Sequence, residues 1–278
     1  MPRKTLLIGC GYVGLPLALR FQEQGDAVTT WVHSPASAEA LTGHCFHRVI
    51  VGSVADEKNW KSLDEKYERV IHCASSGRGG EEAYREVFLE GAQMMGRYQT
   101  EARKILVSST SVYGQADGEW VTEESRAEPS TATSKILREA EKEALSSATI
   151  VVRSSGIYGP GRSMLFEKFR RGEAMIEGDG MRWINQIHQQ DLVAALMHLV
   201  EKGRQGEIYN ASDDMPIMQR DFYAWCSEFL GKPMPLHGPV NTERKRGLTN
   251  KRVSNAKLRA TGWSPIYPGF REGLTTNT

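Results

Sequence analysis

Leu6-Leu7-Ile8-Gly9-Cys10-Gly11-Tyr12-Val13-Gly14-Leu15-Pro16-Leu17 decides the fold. Three apolar residues read as a buried strand, and Val13, Leu17 and Phe21 recur at helical spacing. Between them stands Gly-x-Gly-x-x-Gly. The first glycine permits a tight turn, the second lets backbone approach a pyrophosphate, and the third lets helix and strand pack closely. The helix start then offers unpaired amides and the positive end of its dipole to phosphates. The expected cofactor-binding residues are therefore Gly9, Gly11, Tyr12, Val13 and Gly14, with Ala74 at the end of a later strand. A plain strand–helix turn would use the same glycines without a ligand.

Outward from this turn the pattern repeats. Strand-like runs stand at Ala27 to Val32, Phe46 to Val51, Val70 to Ala74, Ile105 to Val107 and Thr149 to Val152. Helical patterns separate them near Ala36, near Asp56, from about Glu81 to Tyr98, and from Lys135 to Leu145. Short apolar strands alternating with helices predict an α/β fold, a Rossmann-type doubly wound parallel sheet with its ligand at the carboxyl ends of the strands. Past about Ile157, Gly- and Pro-rich turns change the rhythm. The expected division is a Rossmann core over 1–158, completed by about 184–212, and a small substrate-binding lobe over 159–183 and 213–278.

The end of the second strand reports on the cofactor. A site for NAD places an acidic residue about 20 residues after the glycine turn, against the ribose 2′-hydroxyl. Here Val28-Thr29-Thr30-Trp31-Val32 runs into His33-Ser34, with no carboxylate before Glu39. His33 and Ser34 would tolerate a 2′-phosphate, so NADP is expected, with NAD as the alternative. Ser34 before Pro35 also reads as a helix N-cap.

Of 278 residues, 40% are hydrophobic and 25% charged, and the net charge is +1, which excludes disordered classes and any bulk attraction to nucleic acid or anionic membrane. No apolar run reaches the ~20 residues of a membrane span. Cys10, Cys45, Cys73 and Cys226 show no pairing or metal-like spacing and read as small buried hydrophobes. No metal site, nucleic-acid partner or membrane is expected, and a cytoplasmic location is the default.

Further blocks resemble the extended short-chain dehydrogenases, the NAD-dependent epimerase/dehydratase family. Ser108-Ser109-Thr110-Ser111-Val112-Tyr113-Gly114 is similar to its S-S-x-x-V-Y-G, and Arg153 to Gly161 to its R-x-x-x-[IV]-Y-G-P-G. Ile187-His188-Gln189-Gln190-Asp191-Leu192, Ile208-Tyr209-Asn210 and the segment from Lys251 to Pro265 follow in the family's order. The resemblance implies a small-molecule substrate and pairing of two chains, as a homodimer, through the long helices near 81–98 and 131–146. It also implies that Ser109 hydrogen-bonds the substrate oxygen and that Lys135 holds the nicotinamide ribose. A basic residue of the stretch Arg244-Lys245-Arg246 to Arg259 would meet the phosphates of a nucleotide-sugar, although such a run is as readily a solvated surface.

The chain departs from the pattern in three places. Ile8 stands at the first glycine of the family's usual G-x-x-G-x-x-G, and Gly52-Ser53-Val54 lacks the acid of a G-D-L-like block. Thr131 stands four residues before Lys135, where the family has its catalytic Tyr. An aliphatic hydroxyl is a far weaker acid than a phenol of pKa ~10, so Thr131 is not expected to take its role. Tyr113 is the expected substitute donor, with Tyr158, His72 and His188 as further candidates. The expected function is that of an NAD(P)-dependent oxidoreductase or epimerase-like enzyme. It would act on a hydroxyl or carbonyl of a polar substrate such as a nucleotide-sugar. The alternative is a non-catalytic NADP-binding sensor.

Overall fold

The structure is a computed structural model that describes residues 1–77, 79–242 and 248–275. The run Arg244-Lys245-Arg246 lies outside the described residues.

Seven parallel strands form the central sheet. The first five are β1 (Lys4–Ile8), β2 (Ala27–Val32), β3 (Arg48–Val51), β4 (Arg69–His72) and β5 (Arg103–Ser109), followed by Ile150–Ser154 and Ile208–Ala211. Across the sheet they run Ile208–Ala211, Ile150–Ser154, β5, β4, β1, β2, β3. Ile8 is paired with Trp31 on one side and with His72 on the other. Strand order reverses there, so a crevice opens at the carboxyl end of β1.

Leu6, Leu7 and Ile8 are all fully buried. In a strand successive side chains point to opposite faces. Leu6 and Ile8 accordingly join one core, with Phe88, Met95, Leu106, Ile136 and Leu137. Leu7 joins the other, with Leu17, Phe21, Ile105, Leu196 and Leu199. A sheet covered on both faces needs strands that are apolar throughout, which is why β1 does not alternate. The expected long helix at 81–98 is present, with a π-helical stretch at Arg85–Glu90 between Glu81–Tyr84 and Gly91–Tyr98.

A third core joins Tyr158, Phe166, Phe169, Ile184, Phe222 and Phe270 in the second lobe. Val253 packs into the first core, and Leu258 and Trp263 into the second, so these apolar residues of the C-terminal segment meet the sheet layers. Cys45 is exposed, unlike the buried Cys226. No helix of the described residues is long and apolar enough to cross a membrane.

Candidate active site

The three glycines do different work. Gly9 has φ +91° and a side-chain carbon there would lie 2.3 Å from Ala74 Cα. At Gly14 it would lie 1.8 Å from the Gly9 carbonyl oxygen. At Gly11 it would meet nothing within 4 Å. The outer two are thus required by packing, while Gly11 borders open space. The helix that follows, α1 (Gly14–Glu23), has no side-chain cap at Val13 and no acidic residue in its first turn. Leu15 N already donates to the Gly11 carbonyl at 2.9 Å, so the dipole and the uncapped start ahead of Leu15 are what an anion would meet. Burial pushes the Cys10 thiol up to about 12 and raises Cys73 as well, so neither places a thiolate beside this space. Cys73 Sγ donates to the Gly9 carbonyl at 3.1 Å. The cradle fits a dinucleotide pyrophosphate.

The neighbouring candidates separate. Val13 is buried in the second core, whereas Tyr12 is half-buried and reaches the second lobe, giving its hydroxyl to the Pro160 carbonyl at 3.1 Å. Ala74 packs on Gly9. His33 is exposed at the end of β2, and Ser34 caps the helix Pro35–Glu39 by accepting from Ser37 N at 3.2 Å. The hydroxyl of Ser53 donates to Glu86 Oε1. A carboxylate from the long helix thus stands beside the block that lacks its own acid.

Ser109 closes β5, half-buried, with its Oγ accepting from Ser111 N at 3.2 Å. Lys135 lies at the start of the helix Ala132–Ser146, exposed, and its ammonium has no partner among the described residues. A hydrogen bond from Ser134 Oγ to Ser111 Oγ, at 3.1 Å, ties that helix start to the turn after Ser109. Behind them Glu141 is fully buried and takes two bonds from Arg153, at 2.9 and 2.7 Å, and one from Ser108 at 2.7 Å. This bidentate pair locks β5, the helix and the strand Ile150–Ser154 together.

Two cations lie where the lobe meets the core. Lys251 is 6% exposed, and burial with the nearby Arg182 charge lowers it to about 8. Its Nζ donates to Thr249 Oγ1 at 2.9 Å and pairs with no carboxylate among the described residues, although the Glu119 charge acts on it from a distance. Arg182 is also lowered by burial, and its buried Nε has no partner. Two largely desolvated cations with no ion-paired acid among the described residues are costly unless an anion joins them. Arg182 was not expected from the sequence, where it is one arginine among many with no flanking signal.

Residues 6–212 match the NAD dependent epimerase/dehydratase family. The chain belongs to that family. Protein YeeZ of Escherichia coli (strain K12) is 26% identical over 262 residues, spanning 91% of this chain and 93% of YeeZ. The dTDP-D-glucose 4,6-dehydratase of Homo sapiens is 24% identical over 269 residues, 85% of this chain and 75% of the relative. Among solved structures, MoeE5 in complex with UDP-glucuronic acid and NAD aligns with a TM-score of 0.80 over 98% of this chain and 97% of MoeE5. At 23% identity that likeness is one of fold.

For a family member without the Tyr, the whereabouts of a proton donor matter. Thr131 is the N-cap of the Lys135 helix, its hydroxyl accepting from Ser134 N at 3.4 Å. Tyr113 is the expected substitute. Its ring is fully buried under Arg153, its hydroxyl donates to Asn210 Oδ1 at 2.8 Å, and burial raises its pKa. The phenol is thus enclosed in the core and already bonded. Tyr158 is buried too and donates to the Gly269 carbonyl at 3.1 Å. His72 lies in the core, and His188 caps the helix Gln189–Lys202 through Gln190 N. Burial lowers both imidazoles to about 4. Among the described residues no group of three or more His, Cys, Asp or Glu could hold a metal ion.

Proposed function

We propose that the chain is an NADP(H)-preferring enzyme that acts on a hydroxyl or carbonyl carbon of a nucleotide-linked sugar. The observation that carries this reading is the joint placement of Ser109 and the unpartnered Lys135 at the carboxyl end of β5, linked through Ser111 and Ser134. Gly9, Gly11 and Gly14 with the start of α1 would hold the dinucleotide pyrophosphate. His33 would stand at the 2′-phosphate, and Lys135 at the nicotinamide ribose. A bound nicotinamide dinucleotide supplies hydride transfer. Ser109 would hydrogen-bond the substrate oxygen, and the Lys135 charge would stabilise an alkoxide developing on it. With Thr131 capping its helix and Tyr113 enclosed, proton exchange at the oxygen that Ser109 holds falls to solvent.

The substrate class rests on Arg182 and Lys251, which pair with no acid among the described residues and so suit a sugar diphosphate. The human relative's name and the ligands of MoeE5 support the same chemistry. The test is nicotinamide absorbance with UDP- and dTDP-linked sugars, beside calorimetry of UDP and dTDP binding. Arg182→Gln should weaken nucleotide binding at least roughly tenfold while leaving dinucleotide affinity unchanged. Equal nucleotide affinity in both proteins would remove the substrate assignment. The capped Thr131 also favours a second reading, a dinucleotide-binding sensor. Its signature is normal dinucleotide binding with no turnover of any sugar nucleotide.

A further inference from the structure

Tyr12 sits inside the glycine-rich turn, yet its side-chain partners come from the second lobe. Its hydroxyl donates to the Pro160 carbonyl, and the Arg162 guanidinium lies 5.1 Å from its ring centroid. Its own carbonyl accepts from Gln189 Nε2. The loop that reaches it is held tightly. Gly159 N donates to the Arg162 carbonyl at 3.0 Å and Arg162 N to the Gly159 carbonyl at 2.9 Å. Gly159 has φ +143°, and a side-chain carbon there would lie 2.9 Å from the Tyr12 hydroxyl and 3.1 Å from His188 Nε2. Only glycine brings the loop this close, and the closeness positions Arg162.

Arg162 is exposed and has no carboxylate partner among the described residues. The nearest acid along its own segment, Glu167, is paired with Arg170 at 2.8 Å. An unpaired guanidinium therefore stands beside the turn that leads into α1, where no side chain caps the helix start and Gly11 borders open space. We propose that Arg162 clasps the cofactor: seated on Tyr12, it is the side-chain cation for the dinucleotide pyrophosphate at the Gly9–Gly14 turn. The second lobe then contributes to cofactor binding, and Tyr12 is the positioning residue that aims the guanidinium. Arg is suited to this because its planar fork stacks on an aromatic ring while its N–H groups remain free for phosphate oxygens.

The inference rests on the reading that the turn binds a dinucleotide, and the experiment separates the two. NADH and NADPH affinities are measured by fluorescence titration at low and high salt, with no sugar present, for wild type, Arg162→Met, Tyr12→Phe and Gly11→Val. Arg162→Met should weaken both dinucleotides about tenfold or more and to the same extent, because the pyrophosphate is common to them. It should also flatten the salt dependence. Tyr12→Phe keeps the ring but loses the Pro160 bond, and should speed dissociation with a smaller loss of affinity. Wild-type affinity in Arg162→Met, with binding lost in Gly11→Val, overturns the clasp and leaves the turn assignment standing. Wild-type affinity in both overturns the turn assignment as well. A loss confined to NADPH would move Arg162 to the 2′-phosphate and overturn the pyrophosphate role.

Discussion

Tyr113 and Asn210 are joined by a 2.8 Å hydrogen bond in the core, from the phenol hydroxyl to Oδ1, beneath the Arg153 guanidinium. The residue that sequence reasoning offers as a replacement acid is thus a tie between the turn after β5 and the strand Ile208–Ala211. Tyr113→Phe should leave Asn210 Oδ1 short of a donor and cost roughly 1–3 kcal/mol, read by urea unfolding. Turnover should stay within a few-fold. A fall of about 10² in rate at unchanged stability would restore Tyr113 as the acid.

Thr131 offers the opposite comparison. Thr131→Val removes the cap of the helix that carries Lys135 and should cost about 1 kcal/mol, with less than about tenfold loss of rate. Thr131→Ser should recover the stability. Lys135→Met should cut turnover far more deeply while the melting temperature holds, since its ammonium makes no contact among the described residues. A collapse of rate in Thr131→Val with fold and cofactor affinity intact would refute this assignment of roles.

The glycines give a paired test of the cofactor site. Gly11→Val should fold normally and bind dinucleotide poorly, because its side chain enters open space. Gly14→Ala should instead destabilise the protein, since even one carbon would lie 1.8 Å from the Gly9 carbonyl. At the other end of the cofactor, His33→Asp should shift preference from NADPH toward NADH through repulsion of the 2′-phosphate. Dissociation constants that favour NADH in the wild type would remove the His33 assignment.

His72 sets an acid-side limit on stability. Its Nε2 lies 2.9 Å from the Val87 carbonyl and carries the proton, while Nδ1 is buried without a partner. Burial lowers the ring from 6.5 to about 4. The unfolded chain therefore binds a proton that the folded chain refuses. The stabilising contribution is full above pH 6.5 and is lost as pH falls toward and through about 4. Asp191, raised to about 6 by burial, works the other way and loses its contribution as pH rises through that value. The clean measurement is therefore the difference between wild type and His72→Gln. The wild type should lose stability relative to the variant across the acid window. A constant difference from pH 7 to pH 4 would show that His72 is not the titrating group.

The sheet was legible because its signal is local. Leu6-Leu7-Ile8 must be buried on both faces, Gly9, Gly11 and Gly14 fall at fixed spacing within one turn, and the strand–helix rhythm needs only neighbouring residues. Ser109 and Lys135 were offered by the family resemblance, and they lie at the end of β5 and near the start of the helix Ala132–Ser146. The face toward which a side chain turns after a strand end is another matter. Nothing in Val112-Tyr113-Gly114 says whether the phenol enters the crevice or the core. Asn210 and Arg153, supplied by two other strands, decide it. The partners of Arg162 and Arg182 depend likewise on how the lobe returns to the core. Tyr12 meets Arg162 and Lys251 meets Arg182 only through long-range packing. Local spacing therefore determines the scaffold and the position of the glycine-rich turn. Which charges and hydroxyls remain free for chemistry is decided by tertiary contacts, because a group's availability depends on every neighbour that could bond it first.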